Sequence, residues 1–169
     1  MPEMTHPACI DDDALAELVR AYHLRLVRYG RRVCRDDSDT DDAVWHAFEK
    51  LARRPDVATG TSPFGWLVAV VRSTCRKLLR PFTRERRHLG ERVDPAPIGD
   101  ADDPLARWEL ARSVHAAIAS LDRPSREVIV LRDLEGLSAD ETCRVLGLTL
   151  PAMKSRLHRA RNELRERLR

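Results

Sequence analysis

The sequence predicts an all-α protein of two small helical domains joined by a flexible linker, the C-terminal one a helix-turn-helix. Charged residues make up 34% of the chain and aromatic residues only 5%, a composition typical of helical globular proteins. Apolar residues recur three or four positions apart over long stretches, which is the period of an amphipathic helix. This period is lost between residues 89 and 106, where Pro, Gly and Asp are frequent. We therefore expect a linker at 89–106 between domains 1–88 and 107–169.

The N-terminal domain is predicted to hold three helices around one core. The first runs from Asp13 to Val33, and the acidic stretch 35–42 then offers N-caps to the second. Residues 53–63 read as a Pro/Gly/Thr turn, after which Ser62 and Pro63 open the third helix. The second helix has an apolar stripe made of Ala43, Val44, Ala47, Phe48 and Leu51. The third has one made of Phe64, Leu67, Val68, Val71, Cys75, Leu78, Leu79 and Phe82, and Pro81 is expected to end it.

The C-terminal domain is predicted to begin near Trp108 with a helix that buries one apolar face. Asp122 and Pro124 mark the start of the next helix, which is expected to end at Glu135 and Gly136. Its apolar residues are Val128, Ile129, Leu131 and Leu134.

The last two helices form the predicted helix-turn-helix. Ser138 and Glu141 have the spacing of a capping box, in which each side chain bonds the backbone amide of the other residue. Gly147 stands where a left-handed residue ends a helix. Thr149 is expected to cap the final helix, with Pro151 in its first turn. Two helices separated by this short turn are typical of DNA-binding proteins.

The final helix carries the first set of candidate binding residues. Its apolar residues, three or four apart, predict a buried seam, and its other faces are strongly basic. In a helix-turn-helix the N-terminal part of the second helix enters the major groove, where arginine can bind guanine and lysine can bind phosphate. The residues expected to meet bases and phosphates are Lys154, Ser155, Arg156, His158 and Arg159.

Charge is sorted along the chain, although the formal net charge is only +3. Residues 11–13 and 36–42 are acidic, whereas residues 72–92 and 150–169 are basic. Two basic helices in one small chain favour a polyanion as partner, and nucleic acid is the first candidate.

Other function classes lack support in the sequence. There is no P-loop, no pair of catalytic carboxylates and no nucleophile motif, so no sequence motif supports an enzyme, and we expect no cofactor. Cys9, Cys34, Cys75 and Cys143 are widely spaced and suggest reduced, partly buried thiols rather than a metal site or a disulfide framework. With no apolar stretch near 20 residues and no signal peptide, we expect no membrane insertion and a cytoplasmic location.

Three stretches of this sequence resemble the extracytoplasmic-function (ECF) class of bacterial sigma factors. Residues 126–161, "REVIVLRDLEGLSADETCRVLGLTLPAMKSRLHRAR", are similar to the −35 binding domain of that family nearly throughout. Residues 37–51 resemble the helix that docks on the polymerase clamp, and residues 62–80 resemble the helix that recognises and melts the −10 element.

The resemblance implies a non-enzymatic initiation subunit whose partners are core RNA polymerase and promoter DNA, with an anti-sigma factor as a further partner of many members. Its implied polymerase-binding residues are Asp42, Trp45, His46 and Phe48. Its implied −10 binding residues are Arg72, Ser73, Arg76, Lys77 and Arg80.

The sequence also departs from the family at four of these positions. Ser73 and Lys77 stand where an Asn and an Asp are usual, and Trp45 and His46 stand where a Gln-Glu pair is usual. Two other functions therefore stay open: a free-standing helix-turn-helix regulator, and a sigma-like interaction module that has lost promoter melting. Redox control through the cysteines is a third, separate idea.

Overall fold

The structure is a computed structural model that describes residues 9–34, 36–60, 62–79 and 104–169. The chain divides into two compact units, Met1–Gly90 and Glu91–Arg169, and all regular structure in the described ranges is helical. The helices of unit 1 are α1 (Asp12–Val33), α2 (Asp37–Ala52), α3 (Pro55–Ala58) and α4 (Pro63–Leu79). Those of unit 2 are α5 (Pro104–Ser120), α6 (Arg123–Ile129), α7 (Ala139–Leu146) and α8 (Leu150–Arg167).

Unit 1 is built on mutual packing of α1, α2 and α4. The predicted apolar stripes meet in its core, as shown by the burial of Leu26 and Tyr29 of α1, Leu51 of α2, and Leu67 and Val68 of α4. The expected caps are also present. Asp36 accepts a hydrogen bond of 2.8 Å from the Asp39 amide, and the Ser62 hydroxyl accepts one of 3.3 Å from the Gly65 amide.

The crossing of α1 and α2 requires a residue without a side chain. A Cβ atom on Gly30 would lie 2.6 Å from Thr40 Cγ2, and both residues are buried. Thr40 is held in place because its hydroxyl donates a 2.9 Å hydrogen bond to the Asp36 carbonyl, one turn back. This contact sets how closely α2 approaches α1.

Three predictions for unit 1 are wrong. The stretch 53–63 is not only a turn, because α3 forms within it and ends where the Thr59 and Gly60 amides bond back to Pro55 and Val57. Leu78 is 38% exposed rather than part of the core, since it lies in the last turn of α4. Cys34 and Cys75 are joined by a disulfide, with their Cα atoms 4.8 Å apart, whereas the sequence suggested free thiols.

Unit 2 packs α8 against α5, α6 and α7. Asp122 caps α6 as predicted, accepting a 3.0 Å hydrogen bond from the Ser125 amide. Arg126 donates from its guanidinium to the carbonyls of Ala119 and Leu121. This arginine therefore satisfies carbonyls at the end of α5 that the helix itself leaves unpaired.

A π-helical turn at Val130–Leu134 follows α6, and no sequence pattern indicated it. The Glu135 amide bonds to the Val130 carbonyl, five residues back, at 2.8 Å. The wider turn changes the helical register, and Leu134 is 40% exposed instead of buried as predicted. The segment still ends at Glu135 and Gly136, and Gly136 has a positive φ of 68°.

The boundary of the C-terminal helices also differs from expectation. Helix α5 begins at Pro104, so the last three residues of the predicted linker 89–106 are helical. The rest of that linker, together with Pro81 and Phe82, lies outside the described residues.

Candidate nucleic-acid and polymerase interfaces

Helices α7 and α8 form the helix-turn-helix, and the signals that start and end α7 are present. The Ser138 amide donates a 2.6 Å hydrogen bond to the Glu141 carboxylate, and the Glu141 amide donates one of 3.2 Å to the Ser138 hydroxyl. Gly147 is left-handed, with φ 67°, and its amide bonds to the Cys143 carbonyl. Thr149 precedes α8 as expected, but its side chain makes no capping hydrogen bond, so that detail of the prediction is wrong.

One face of α8 is buried and the opposite face is open. Met153, Leu157 and Ala160 form the buried seam, whereas the apolar residues at the two ends of the helix, Leu150 and Leu168, are partly exposed. The predicted seam is thus confirmed in its central part only.

Four of the five predicted DNA-binding residues of α8 are exposed, and the fifth is half-buried. Ser155, His158 and Arg159 are exposed on the outer face, because helical residues three and four apart share one side. Lys154 is also exposed, and Arg156 is half-buried beside Leu157. All five lie between the fifth and the tenth residue of α8.

An ion pair that the sequence analysis missed holds α8 to the π-helical turn. The Arg161 guanidinium binds the Asp133 carboxylate through both arms, with Nε to Oδ2 at 2.9 Å and Nη2 to Oδ1 at 2.5 Å. The hydrogen bond to Asp133 raises the pKa of Arg161 above its ordinary value. The two residues are 28 positions apart, and no local spacing indicates such a pair.

Three of the five predicted −10 binding residues are exposed on one face of α4. Ser73, Arg76 and Lys77 of α4 are exposed, and Arg72 is half-buried at the edge of this face. Cys75 lies on the opposite face, in the core. Arg80 lies outside the described residues.

The predicted polymerase surface lies on the outer face of α2, with one exception. Asp42 is exposed, Trp45 is 70% exposed, and His46 Nδ1 lies 3.7 Å from the Glu49 carboxylate. Phe48 differs from expectation as a contact residue, because it is only 5% exposed. It lies one turn after Val44 on the buried stripe, where it can support the surface but not form it.

Glu49 is a further member of this surface that the sequence analysis did not select. It is exposed and lies three residues after His46, a spacing that brings two helical side chains together. That spacing alone would have identified it.

Aromatic and cationic side chains brace α1 against the start of α4. The rings of Tyr22 and Phe64 have centroids 5.3 Å apart, and the Arg25 guanidinium lies 3.7 Å from the centroid of Phe64 on its face. This contact fixes the N-terminal end of the helix that carries the −10 candidates.

Within the described ranges, no cluster of three or more His, Cys, Asp or Glu side chains is arranged to hold a metal ion. The helices described are also too short or too polar for any of them to cross a membrane.

The chain is similar to known proteins in both units. The family model for Sigma-70 region 2 matches residues 18–85, and that for Sigma-70, region 4, matches residues 111–164. RNA polymerase sigma factor CnrH of Cupriavidus metallidurans is 33% identical over 163 residues, which cover 89% of this chain and 84% of CnrH. The ECF RNA polymerase sigma factor SigE of Mycolicibacterium smegmatis is 30% identical over 155 residues, which cover 90% of this chain but 60% of SigE.

A solved structure of CnrH in complex with the cytosolic domain of CnrY has the same fold. It matches with a TM-score of 0.62 and 29% sequence identity, covering 92% of this chain and 88% of the CnrH chain.

Proposed function

This chain belongs to the ECF class of RNA polymerase sigma factors, which direct core polymerase to promoters, and we propose that its two units divide promoter recognition between them. Residues 1–88 would bind core polymerase and the −10 element, and residues 107–169 would bind the −35 element. Residues 89–106 would tether the two. Because a tether makes the second contact intramolecular, two weak contacts combine into firm binding.

The observation that carries the −35 assignment is the surface of α8. Its N-terminal half exposes a hydroxyl, an imidazole and cationic side chains on a helix held firmly from behind by Met153 and Leu157. A rigid helix of this kind fits the major groove, and its cations suit guanine edges and phosphates. The Arg161 pair with Asp133 supports the same role, because it keeps α8 in position without using the outer face.

The −10 assignment rests on the outer face of α4. Arg76 and Lys77 supply positive charge for the phosphates of an opened strand, and Ser73 supplies a hydroxyl one helical turn before them. We include Arg72 and Arg80 in this surface as the sequence predicts.

The polymerase assignment rests on Asp42, Trp45 and His46 on the outer face of α2. We add the exposed Glu49 to this surface, whereas Phe48 packs beneath it in the core. An exposed tryptophan among charged residues is the kind of side chain that dominates protein interfaces. We further propose an anti-sigma partner, as the family resemblance implies. The relative CnrH has been solved with a protein partner, the cytosolic domain of CnrY. The protein would act in the cytoplasm with polymerase and template, and would carry out no enzymatic step itself.

Transcription by bacterial core polymerase on a library of promoter-like DNA tests the proposal. We expect new start sites that share two spaced upstream boxes when the full chain is added, and none without it. A folded chain that binds core but yields no new transcripts would contradict it.

A second function stays open because Ser73 and Lys77 are both exposed on α4. If this altered face no longer captures bases, the chain would occupy polymerase without opening promoters. Permanganate reactivity of promoter thymines separates the two functions, since only an active factor makes those thymines reactive.

Replacing Arg156 with alanine is expected to weaken promoter binding by the holoenzyme by about 1–3 kcal/mol, which is roughly 5- to 150-fold. The physical reason is the loss of a guanidinium that can bind a base edge in two places. Binding to a promoter fragment and binding to core would be measured separately, and core binding should not change.

Arg165→Ala is the matched control, because Arg165 lies on the same helix nearer its C-terminal end and bonds to Asn162. An equal loss in this control, or an equal loss of core binding in Arg156→Ala, would contradict the assignment.

A further inference from the structure

Two cysteines far apart in sequence are joined inside unit 1. Cys34 directly follows the last residue of α1, and Cys75 lies within α4, 41 residues further on. Their Cα separation of 4.8 Å lies within the range that disulfides require. Both bonded cysteines are almost completely buried. Cys9 and Cys143 form no disulfide.

We propose that Cys34 and Cys75 form a reversible thiol–disulfide switch that sets the stability of unit 1. Where glutathione or thioredoxin keeps thiols reduced, the pair exists as two thiols. Under oxidising conditions it closes and ties the end of α1 to the middle of α4. This inference does not depend on the proposed function.

The closing reaction is an exchange with a small disulfide such as oxidised glutathione. The Cys34 thiolate attacks one sulfur of that disulfide, which forms a mixed disulfide and releases one glutathione thiolate. The Cys75 thiolate then attacks the Cys34 sulfur and releases the second glutathione. Two protein thiols are thereby oxidised and one glutathione disulfide is reduced to two glutathione thiols, which take up, through solvent, the two protons that the protein thiols release.

Cys34 is the cysteine that reacts first, because it lies at the C-terminal end of α1. Its amide bonds to the Gly30 carbonyl at 2.7 Å, which is the last backbone bond of α1. Helix ends open locally at a much smaller free energy than a helix centre does. Cys75 lies in the interior of α4 and is fully buried, so it reacts second.

The closed form leaves the proposed binding surfaces intact. Cys75 faces the core, whereas Arg76 and Lys77 are exposed on the other side of α4. The main effect of closure is to restrict the unfolded chain, because the link encloses α2, α3 and most of α4 in one loop. Oxidation therefore stabilises unit 1 without covering the −10 or polymerase candidates.

The test uses the full chain equilibrated with oxidised or with reduced glutathione. Peptide mass spectrometry after thiol alkylation should find Cys34 linked to Cys75 in the oxidised sample. The melting temperature of unit 1 should be higher in the oxidised sample by at least about 5 °C.

The Cys34→Ser and Cys75→Ser variants should each lose this difference between redox conditions, and Cys143→Ser should retain it. Comparing each variant with itself under the two conditions removes any general effect of the substitution on folding. The proposal would be overturned if oxidised wild-type chain showed no Cys34–Cys75 peptide, or showed that peptide with no change in melting temperature.

Discussion

Replacing Trp45 with alanine is expected to weaken binding to core RNA polymerase by about 2 kcal/mol, roughly 30-fold. Trp45 is 70% exposed on the outer face of α2, and Asp42 and His46 share that face. Water now covers a large apolar ring there, and docking on the polymerase would remove it from water. The measurement is the affinity of the full chain for purified core, by fluorescence anisotropy or calorimetry.

Leu24→Ala is the matched control for this prediction. Leu24 is 73% exposed, in the same unit but on the outer face of α1, so its loss removes apolar surface without touching α2. Core binding should stay within about twofold of wild type. The assignment of the α2 face to polymerase would fail if Trp45→Ala bound core normally, or if Leu24→Ala lost as much affinity.

Replacing Gly30 with alanine is expected to destabilise unit 1 by about 1–3 kcal/mol. Inside a helix this change would ordinarily stabilise by close to 1 kcal/mol. Here the new Cβ would lie 2.6 Å from Thr40 Cγ2, and both helices are packed in the core, so α2 must move away from α1. The measurement is the free energy of unfolding from a urea titration. The affinity of the variant for core RNA polymerase is measured next.

Thr40→Ser provides the decisive companion to that substitution. Serine lacks the clashing methyl group but keeps the hydroxyl that bonds to the Asp36 carbonyl. The double variant should therefore be more stable than the sum of the single effects predicts, by at least about 0.5 kcal/mol. Strict additivity would show that the Gly30–Thr40 contact does not set the crossing.

The burial of Phe48 changes the predicted polymerase surface on α2. Phe48 was predicted both as a core residue and as a polymerase contact, and its burial supports only the first. A hydrophobic residue on a helix can satisfy either interpretation from its spacing. Which one applies depends on the position of the neighbouring helices, and the spacing of a single helix does not contain that information.

Local signals were sufficient to predict the helix-turn-helix. The Ser138 capping box, the left-handed Gly147 and Pro151 in the first turn of α8 are all present. These features depend on hydrogen bonds and backbone angles within a few residues. The sequence that carries them therefore determines them almost alone.

Only the tertiary structure decided the remaining features, because each joins residues that are distant in the chain or depends on how helices pack. The Asp133–Arg161 pair spans 28 positions, and the Cys34–Cys75 link spans 41. The close approach of Gly30 to Thr40 likewise exists only because α1 crosses α2. By itself the sequence determined the all-helical class, most helix starts and the basic face of α8. Those properties follow from local periodicity and capping, whereas contacts between helices follow from the packing of whole elements.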